Sequence, residues 1–220
     1  MDTTITGIDI SKEKMINILN EILSIKLNDG VKFDIVDISN IKEDEEYGGN
    51  KYHIVGRKDS MKISFEMDIS TGDIITPKEL KYSYPLLFEE KVILINCYNI
   101  ETILSEKIET ILRRGKFNSR MKDFYDIYYF LTKLKEEINL NHLKKAINNT
   151  FKKRDSFDYL NDYKQIINSI AENKKIRQLW EKYSVSYKYA NHVELSEILK
   201  LLANCIKELN DGVESSSVTK

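Results

Sequence analysis

The period of the hydrophobic pattern changes once along this chain, and that change constrains the fold more than any other feature. From Met61 to Ile69 the alternation is strict. Met61, Ile63, Phe65, Met67 and Ile69 fall on one side, and Lys62, Ser64, Glu66 and Asp68 on the other, the pattern of a strand with one apolar face. Lys51 to Arg57 supplies its hairpin partner across the polar turn Lys58-Asp59-Ser60. From Asn99 the period is helical: Ile100, Ile103, Leu104, Ile111 and Leu112 form one stripe, and Met121, Phe124, Tyr125, Tyr128 and Leu131 another. Gly115 to Ser119 separates the two.

The remaining elements follow from local signals. Residues 1–10 are rich in β-branched side chains and read as a strand with a turn at Gly7. Ser11 caps a helix carrying Met15, Ile18, Leu19, Ile22 and Leu23. Asn28-Asp29-Gly30 is a turn before a strand from Val31 to Ile38. The acidic run Glu43 to Glu46 leads into Tyr47-Gly48-Gly49 as an exposed turn. Residues 76–90 read as irregular, and Lys91 to Cys97 as a last short strand. Later helices are expected near Leu140–Phe151, Tyr159–Tyr183 with an interruption at Asn173, and Val193–Leu209. The expectation is an α+β protein: a mixed β-sheet over residues 1–98, a helical bundle over 99–211, and a Ser-rich disordered tail over 212–220.

Several function classes are excluded or weakened by composition. Cys97 and Cys205 form no CxxC pair and no disulfide framework, which suits a reducing cytoplasm. His53, His142 and His192 are scattered, which argues against zinc. No apolar run reaches the roughly 18 residues of a membrane span, and no signal peptide is visible. The formal net charge of -1 conceals an asymmetry. Residues 1–100 hold 12 Lys/Arg against 18 Asp/Glu, whereas residues 101–154 hold 13 against 7. The basic segment either attracts a polyanion or presents solvated helix faces.

Few side chains stand out chemically. Asp68 lies on the polar face at a strand end before Gly72-Asp73. It either presents a hard oxygen to a divalent cation or faces solvent, and Asp73 is a second ligand or a turn former. Lys107 sits on an apolar stripe, with Ile103, Leu104 and Ile111 four before, three before and four after it. A buried unpaired ammonium costs several kcal/mol, so Lys107 either snorkels or meets an anion. An acid on the next helix and a triphosphate are both suitable. Asp123 and Asp126, three apart, share one face of that helix. Between the helices, Arg113, Arg114, Lys116 and Arg120 place four cations in eight residues. They suit phosphate binding, although Arg113 and Arg114 would equally complement a helix C-terminus.

Taken together, Glu101-Thr102-Ile103-Leu104-Ser105-Glu106-Lys107 and Lys122-Asp123-Phe124-Tyr125-Asp126 resemble the signature of the AbiEii-type nucleotidyltransferases. These are toxins of type IV toxin–antitoxin and abortive-infection (phage-defence) systems, and they include the MenT-like toxins. The strand Phe65–Asp73 is similar to the strand that supplies a carboxylate in that family, and Glu43–Gly49 resembles a segment of one subgroup. The resemblance implies a polymerase-β-like nucleotidyltransferase core with magnesium as cofactor, held by Asp2 and Asp68. It implies that Lys107 contacts the phosphates of an NTP, GTP or a pyrimidine NTP. Asp126, or Asp123, would order Lys107 or take part in proton transfer. Arg113, Arg114 and Arg120 are weaker candidates for phosphate or RNA contact. The implied acceptor is RNA, such as the 3′ end of tRNA, and the implied protein partner is a cognate antitoxin.

Asp2-Thr3-Thr4-Ile5 looks like the tail of the family's Asp-x-Asp strand. The first aspartate and the glycine turn would then precede Met1. A chain beginning at Met1 is expected to bind magnesium and nucleotide weakly and to be inactive, with activity returning in a longer form. The alternative is a catalytically inactive nucleotidyltransferase fold that serves as a binding or regulatory module.

Overall fold

The structure, a computed structural model, describes residues 2–6, 11–40 and 49–211. It divides into two compact units, Met1–Ile74 and Ile75–Lys220. The expected boundary at 98/99 marks the switch from strand to helix; the division itself falls earlier.

In the first unit, β1 (Asp2–Ile5), α1 (Lys12–Leu23), β2 (Lys32–Asn40), β3 (Gly49–Lys58) and β4 (Met61–Thr71) form a sheet of order β1-β4-β3-β2 with one helix. β1 runs parallel to β4, and β4, β3 and β2 are an antiparallel meander. The sheet is therefore mixed, as expected. The Ser11 hydroxyl caps α1 by accepting from the Lys14 amide at 3.3 Å. Met15 and Leu19 of α1 are buried against Tyr52, Ile54 and Ile69. The alternation of β4 is real, but its apolar face is only partly covered. Ile69 is buried, whereas Met61, Ile63 and Phe65 are exposed. At Gly56 the backbone passes close to a ring: a Cβ there would lie 2.9 Å from Phe33 Cε1 and would have to displace it. The turn expected at Gly7 and the acidic run Glu43 to Glu46 with Tyr47-Gly48 lie outside the described residues.

The second unit opens with an antiparallel pair, β5 (Leu80–Pro85) and β6 (Val92–Cys97). β5 corrects the expectation of irregular chain over residues 76–90. Leu80, Tyr82 and Tyr84 alternate with Lys81 and Ser83, a short strand pattern that sequence reasoning missed; all five are exposed. Seven helices follow: α2 (Ile100–Arg114), α3 (Met121–Lys133), α4 (Leu140–Lys153), α5 (Phe157–Asn161), α6 (Tyr163–Glu172), α7 (Lys174–Ser186) and α8 (Leu195–Asp211). Asn99 caps α2 through its side chain, 2.7 Å from the Thr102 amide. Gly115, at φ +48°, ends it. Asn173 interrupts the expected long helix and caps α7. The core joins Leu104, Ile108 and Ile111 of α2 with Phe124 and Ile127 of α3, Leu143 and Phe151 of α4, Ile170, Trp180, and Ile198 and Leu202 of α8. The tail over 212–220 lies outside the described residues.

Candidate active site

The chemistry concentrates on two surfaces, one in each unit. On the sheet, paired residues of neighbouring strands point to the same face. The register sets Asp2 beside Asp68 and Asp68 beside Lys51. The next positions on that face pair Glu66 with His53 and Thr4 with Ser70. This face is opposite the one α1 covers.

Asp2 is exposed, while Asp68 is half-buried. The Asp68 Oδ1 atom is buried and makes no hydrogen bond; the Lys51 ammonium stands 3.6 Å away, an ion pair without a hydrogen bond. Lys51 instead donates to Glu66 at 2.8 Å. That bond raises the Lys51 pKa and lowers that of Glu66. Asp73 is committed to the local chain: its Oδ2 accepts from Thr4 Oγ1 and from Ser70 Oγ, each at 2.7 Å. It ties the end of β4 to β1. Asp2 and Asp68 offer two carboxylates on adjacent strands, and one of their oxygens is unsatisfied. That donor set fits a hard divalent cation such as magnesium. Among the described residues no group of three or more His, Cys, Asp or Glu is placed to hold a metal.

In the helical unit, Lys107 does not snorkel. Its Nζ lies 2.9 Å from Asp123 Oδ1 and 2.6 Å from Asp126 Oδ2. About a fifth or less of each of the three side chains is exposed. The spacing of three on α3 puts both acids on the face that meets α2, and Lys107 reaches them from the apolar stripe. Burial alone would lower the Lys107 pKa; the fields and hydrogen bonds of Asp123 and Asp126 outweigh it, and the net direction is upward. Lys107 is therefore a fixed cation at neutral pH. Arg120 Nε stands 3.6 Å from Asp123.

Arg113 and Arg114 are placed differently from one another. Arg113 Nε donates to Glu109 at 2.9 Å, and Arg154 Nη1 reaches the same carboxylate at 2.5 Å. Glu109 is fully buried, so Arg113 has a structural partner. Arg114 Nε is buried and unpaired among the described residues. Glu101, the first acid of the signature, is also structural: it accepts from the Asn139 amide at 2.9 Å, at the start of α4.

Sequence reasoning missed the surroundings of Asp126. Tyr125 packs on Tyr189 with centroids 4.6 Å apart, Tyr183 lies 4.6 Å from Tyr187, and the Tyr183 and Tyr189 hydroxyls are 2.9 Å apart. Burial raises the Tyr125 pKa most, with further contributions from neighbouring tyrosines and Asp126. The spacing of Tyr183, Tyr187 and Tyr189 was the available signal.

A model of the family described as nucleotidyl transferase AbiEii toxin, type IV TA system, matches residues 1–200. None of the curated proteins matches the chain. Two solved structures similar to it are a candidate nucleotidyltransferase from H. pylori and JHP933 from Helicobacter pylori. The first shares 14% identity at a TM-score of 0.42, covering 99% of this chain and 81% of that one. The second shares 14% identity at a TM-score of 0.42, covering 98% and 78%.

Proposed function

This chain belongs to the AbiEii family of nucleotidyltransferase toxins of type IV toxin–antitoxin systems, and from that premise we propose that it transfers a nucleotide from an NTP to RNA. The acceptor is a tRNA 3′ end, and the reaction uses magnesium. The observation that carries this reading is Lys107, fixed as a cation between Asp123 and Asp126 in the family signature.

In the proposed reaction a hydroxyl of the acceptor RNA attacks the α-phosphorus of the NTP. A new oxygen–phosphorus bond forms as the bond to the bridging oxygen breaks. Pyrophosphate leaves with the electron pair, and the hydroxyl proton passes to a carboxylate or to water. Magnesium, when bound, supplies charge neutralisation of the triphosphate. Asp2 and Asp68 would hold it. Lys107 would contact the nucleotide phosphates, with Asp123 and Asp126 setting the position of its ammonium. Their ion pairs with Lys107 favour this ordering role over proton transfer. Arg114 and Arg120 would add phosphate or RNA contact; Arg113 is a weaker candidate because Glu109 already engages it. A cognate antitoxin would be the protein partner, and the cytoplasm the place of action.

The test supplies each of the four NTPs, labelled at the α-phosphate, with magnesium and a tRNA pool. The 220-residue chain and a form extended by any in-frame upstream residues are assayed side by side. Label is expected on RNA, with GTP or a pyrimidine NTP preferred. Lys107→Ala is expected to reduce transfer about 100-fold or more, the usual cost of removing one group that stabilises transition-state charge. Wild-type transfer by Lys107→Ala would remove that residue from the reaction. Failure of every NTP with both forms would leave the binding or regulatory module as the better reading.

A further inference from the structure

The geometry points to the tyrosine cluster beside Asp126 as a stacking platform for an unpaired nucleobase, a subsite that rests on the nucleotidyl-transfer reading above and gives it a base-binding surface.

Three observations carry this. The first is position. Tyr125 precedes Asp126 in α3, and Tyr129 lies three residues after it, on the same helical face. The second is that the rings are both available and fixed. Tyr129 is 41% exposed, and Tyr187 and Tyr189 are each 46% exposed. They are not loose. Tyr189 packs on Tyr125, shares a hydroxyl hydrogen bond with Tyr183, and lies 5.4 Å from Tyr187 with ring planes 31° apart. Tyr183 in turn packs on the buried Trp180 at 5.6 Å. Rings already held in place lose little freedom when a flat ligand lands on them. Burial, then the Tyr189 hydroxyl and more weakly the Asp126 carboxylate, disfavour ionisation of Tyr183, so Tyr183 lies within electrostatic reach of Asp126.

The third observation is charge. The segment 174–190 that carries Tyr183, Tyr187 and Tyr189 also carries Lys174, Lys175, Arg177, Lys182 and Lys188 against the single acid Glu181. Aromatic rings interleaved with cations suit single-stranded nucleic acid, because the cations follow the phosphates and every base offers a flat face. A hydrophobic core would need neither the exposed tyrosines nor the flanking cations. The base comes either from the terminal nucleotide of an RNA strand or from a free NTP.

Binding, not activity, tests this. A fluorescently labelled unstructured RNA pentamer, the same pentamer with abasic sugars, and the four NTPs are titrated against wild type, Tyr187→Ala, Tyr189→Ala and Tyr189→Phe. All of these sites are at the surface, and circular dichroism checks each fold. Each alanine variant is expected to weaken binding of the base-bearing probe on the order of 5- to 150-fold, the range for one lost base–aromatic stack. Tyr189→Phe should match the wild type, since it keeps the ring. The abasic pentamer should bind weakly to all four. Loss confined to the pentamer identifies an RNA end as the occupant, and loss confined to NTPs identifies the nucleotide base. Unchanged affinity of both alanine variants for the pentamer and for every NTP overturns the platform, as does binding of none of these probes. Nucleotide transfer with unchanged alanine-variant affinities sinks the platform alone. Base-dependent binding without any transfer keeps the platform and sinks the transferase reading.

Discussion

Removing the Lys107 ammonium should destabilise the helical unit because of what it leaves behind. Each N–O distance, 2.9 Å to Asp123 and 2.6 Å to Asp126, corresponds to about 6 kcal/mol of gross attraction at an effective dielectric near 20. Desolvation of the ions offsets most of that, so the intact trio contributes little net stability. Lys107→Met keeps the apolar stem but leaves two carboxylates facing one another on α3 with their main cation gone. Breaking one side of a buried ion pair costs about 3–5 kcal/mol. The lower end, about 3 kcal/mol, applies here because a fifth of the Lys107 side chain is exposed. In an Asp123→Asn, Asp126→Asn background the same substitution orphans no charge and should cost less than about 1 kcal/mol. The expected coupling is therefore about 2 kcal/mol. Urea unfolding followed by Trp180 fluorescence measures it, since this single tryptophan is buried in the helical core. The folded pKa of Lys107 is raised, so its contribution is complete below the unfolded value near about 10.4 and is lost as pH rises through the higher folded value. The penalty should accordingly be flat across neutral pH. Coupling within about 0.5 kcal/mol of zero, the noise of additivity, would refute the reasoning.

Glu109→Ala should be among the most damaging single changes in the helical unit, about 3–5 kcal/mol, because it strips the buried carboxylate from both Arg113 and Arg154. Calorimetry should show a fall in Tm of roughly 10 °C, and a change of less than about 2 °C would contradict the assignment. Burial, and then Glu208, push the Cys205 thiol up to about 12. Its folded pKa exceeds the unfolded value of about 8.5, so stability is full below that pH and falls by about 1.4 kcal/mol per pH unit above it. Cys205→Ala should abolish this part of the alkaline slope in urea titrations run at successive pH values; an unchanged slope would count against it.

How much was legible in the sequence depended on whether the deciding partner was local. The strand at Met61–Ile69 was legible because alternation is a backbone property. Its burial was not, because α1 covers only the end near Ile69, through Met15 and Leu19. The Lys107 partner was among the stated possibilities because a lysine on an apolar stripe and two acids three apart on the next helix are both local patterns. Arg113 could have been paired from sequence, since Glu109 precedes it by four residues on α2. Arg154, which completes that cluster from 45 positions away, could not. The pairing of Asp2 with Asp68 came from the resemblance rather than from periodicity, and the parallel register of β1 and β4 gives it a physical basis. The tyrosine cluster was hidden for the opposite reason. Its members come from α3, the end of α7 and the turn beyond; the spacing of Tyr183, Tyr187 and Tyr189 is local, but nothing in the sequence joins them to Tyr125.

The helix α2 shows why a sequence signature is not the same thing as a site. Three of its ionisable side chains, Glu101, Lys107 and Glu109, each meet a different kind of partner. Glu101 spends its charge on the first turn of α4, where an unpaired amide attracts an anion. Glu109 is enclosed by two guanidinium groups and is fully buried, so no ligand can reach it without unfolding the helix around it. Lys107 differs. It keeps about a fifth of its surface open, and Arg120 stands 3.6 Å from one of its two acids. A closed cluster such as that of Glu109 serves packing alone. An open cluster is the one that an incoming cation or phosphate can reorganise. By this criterion the Lys107, Asp123 and Asp126 trio is the part of the signature that the proposed reaction would use, and Glu101 and Glu109 hold its helix in place.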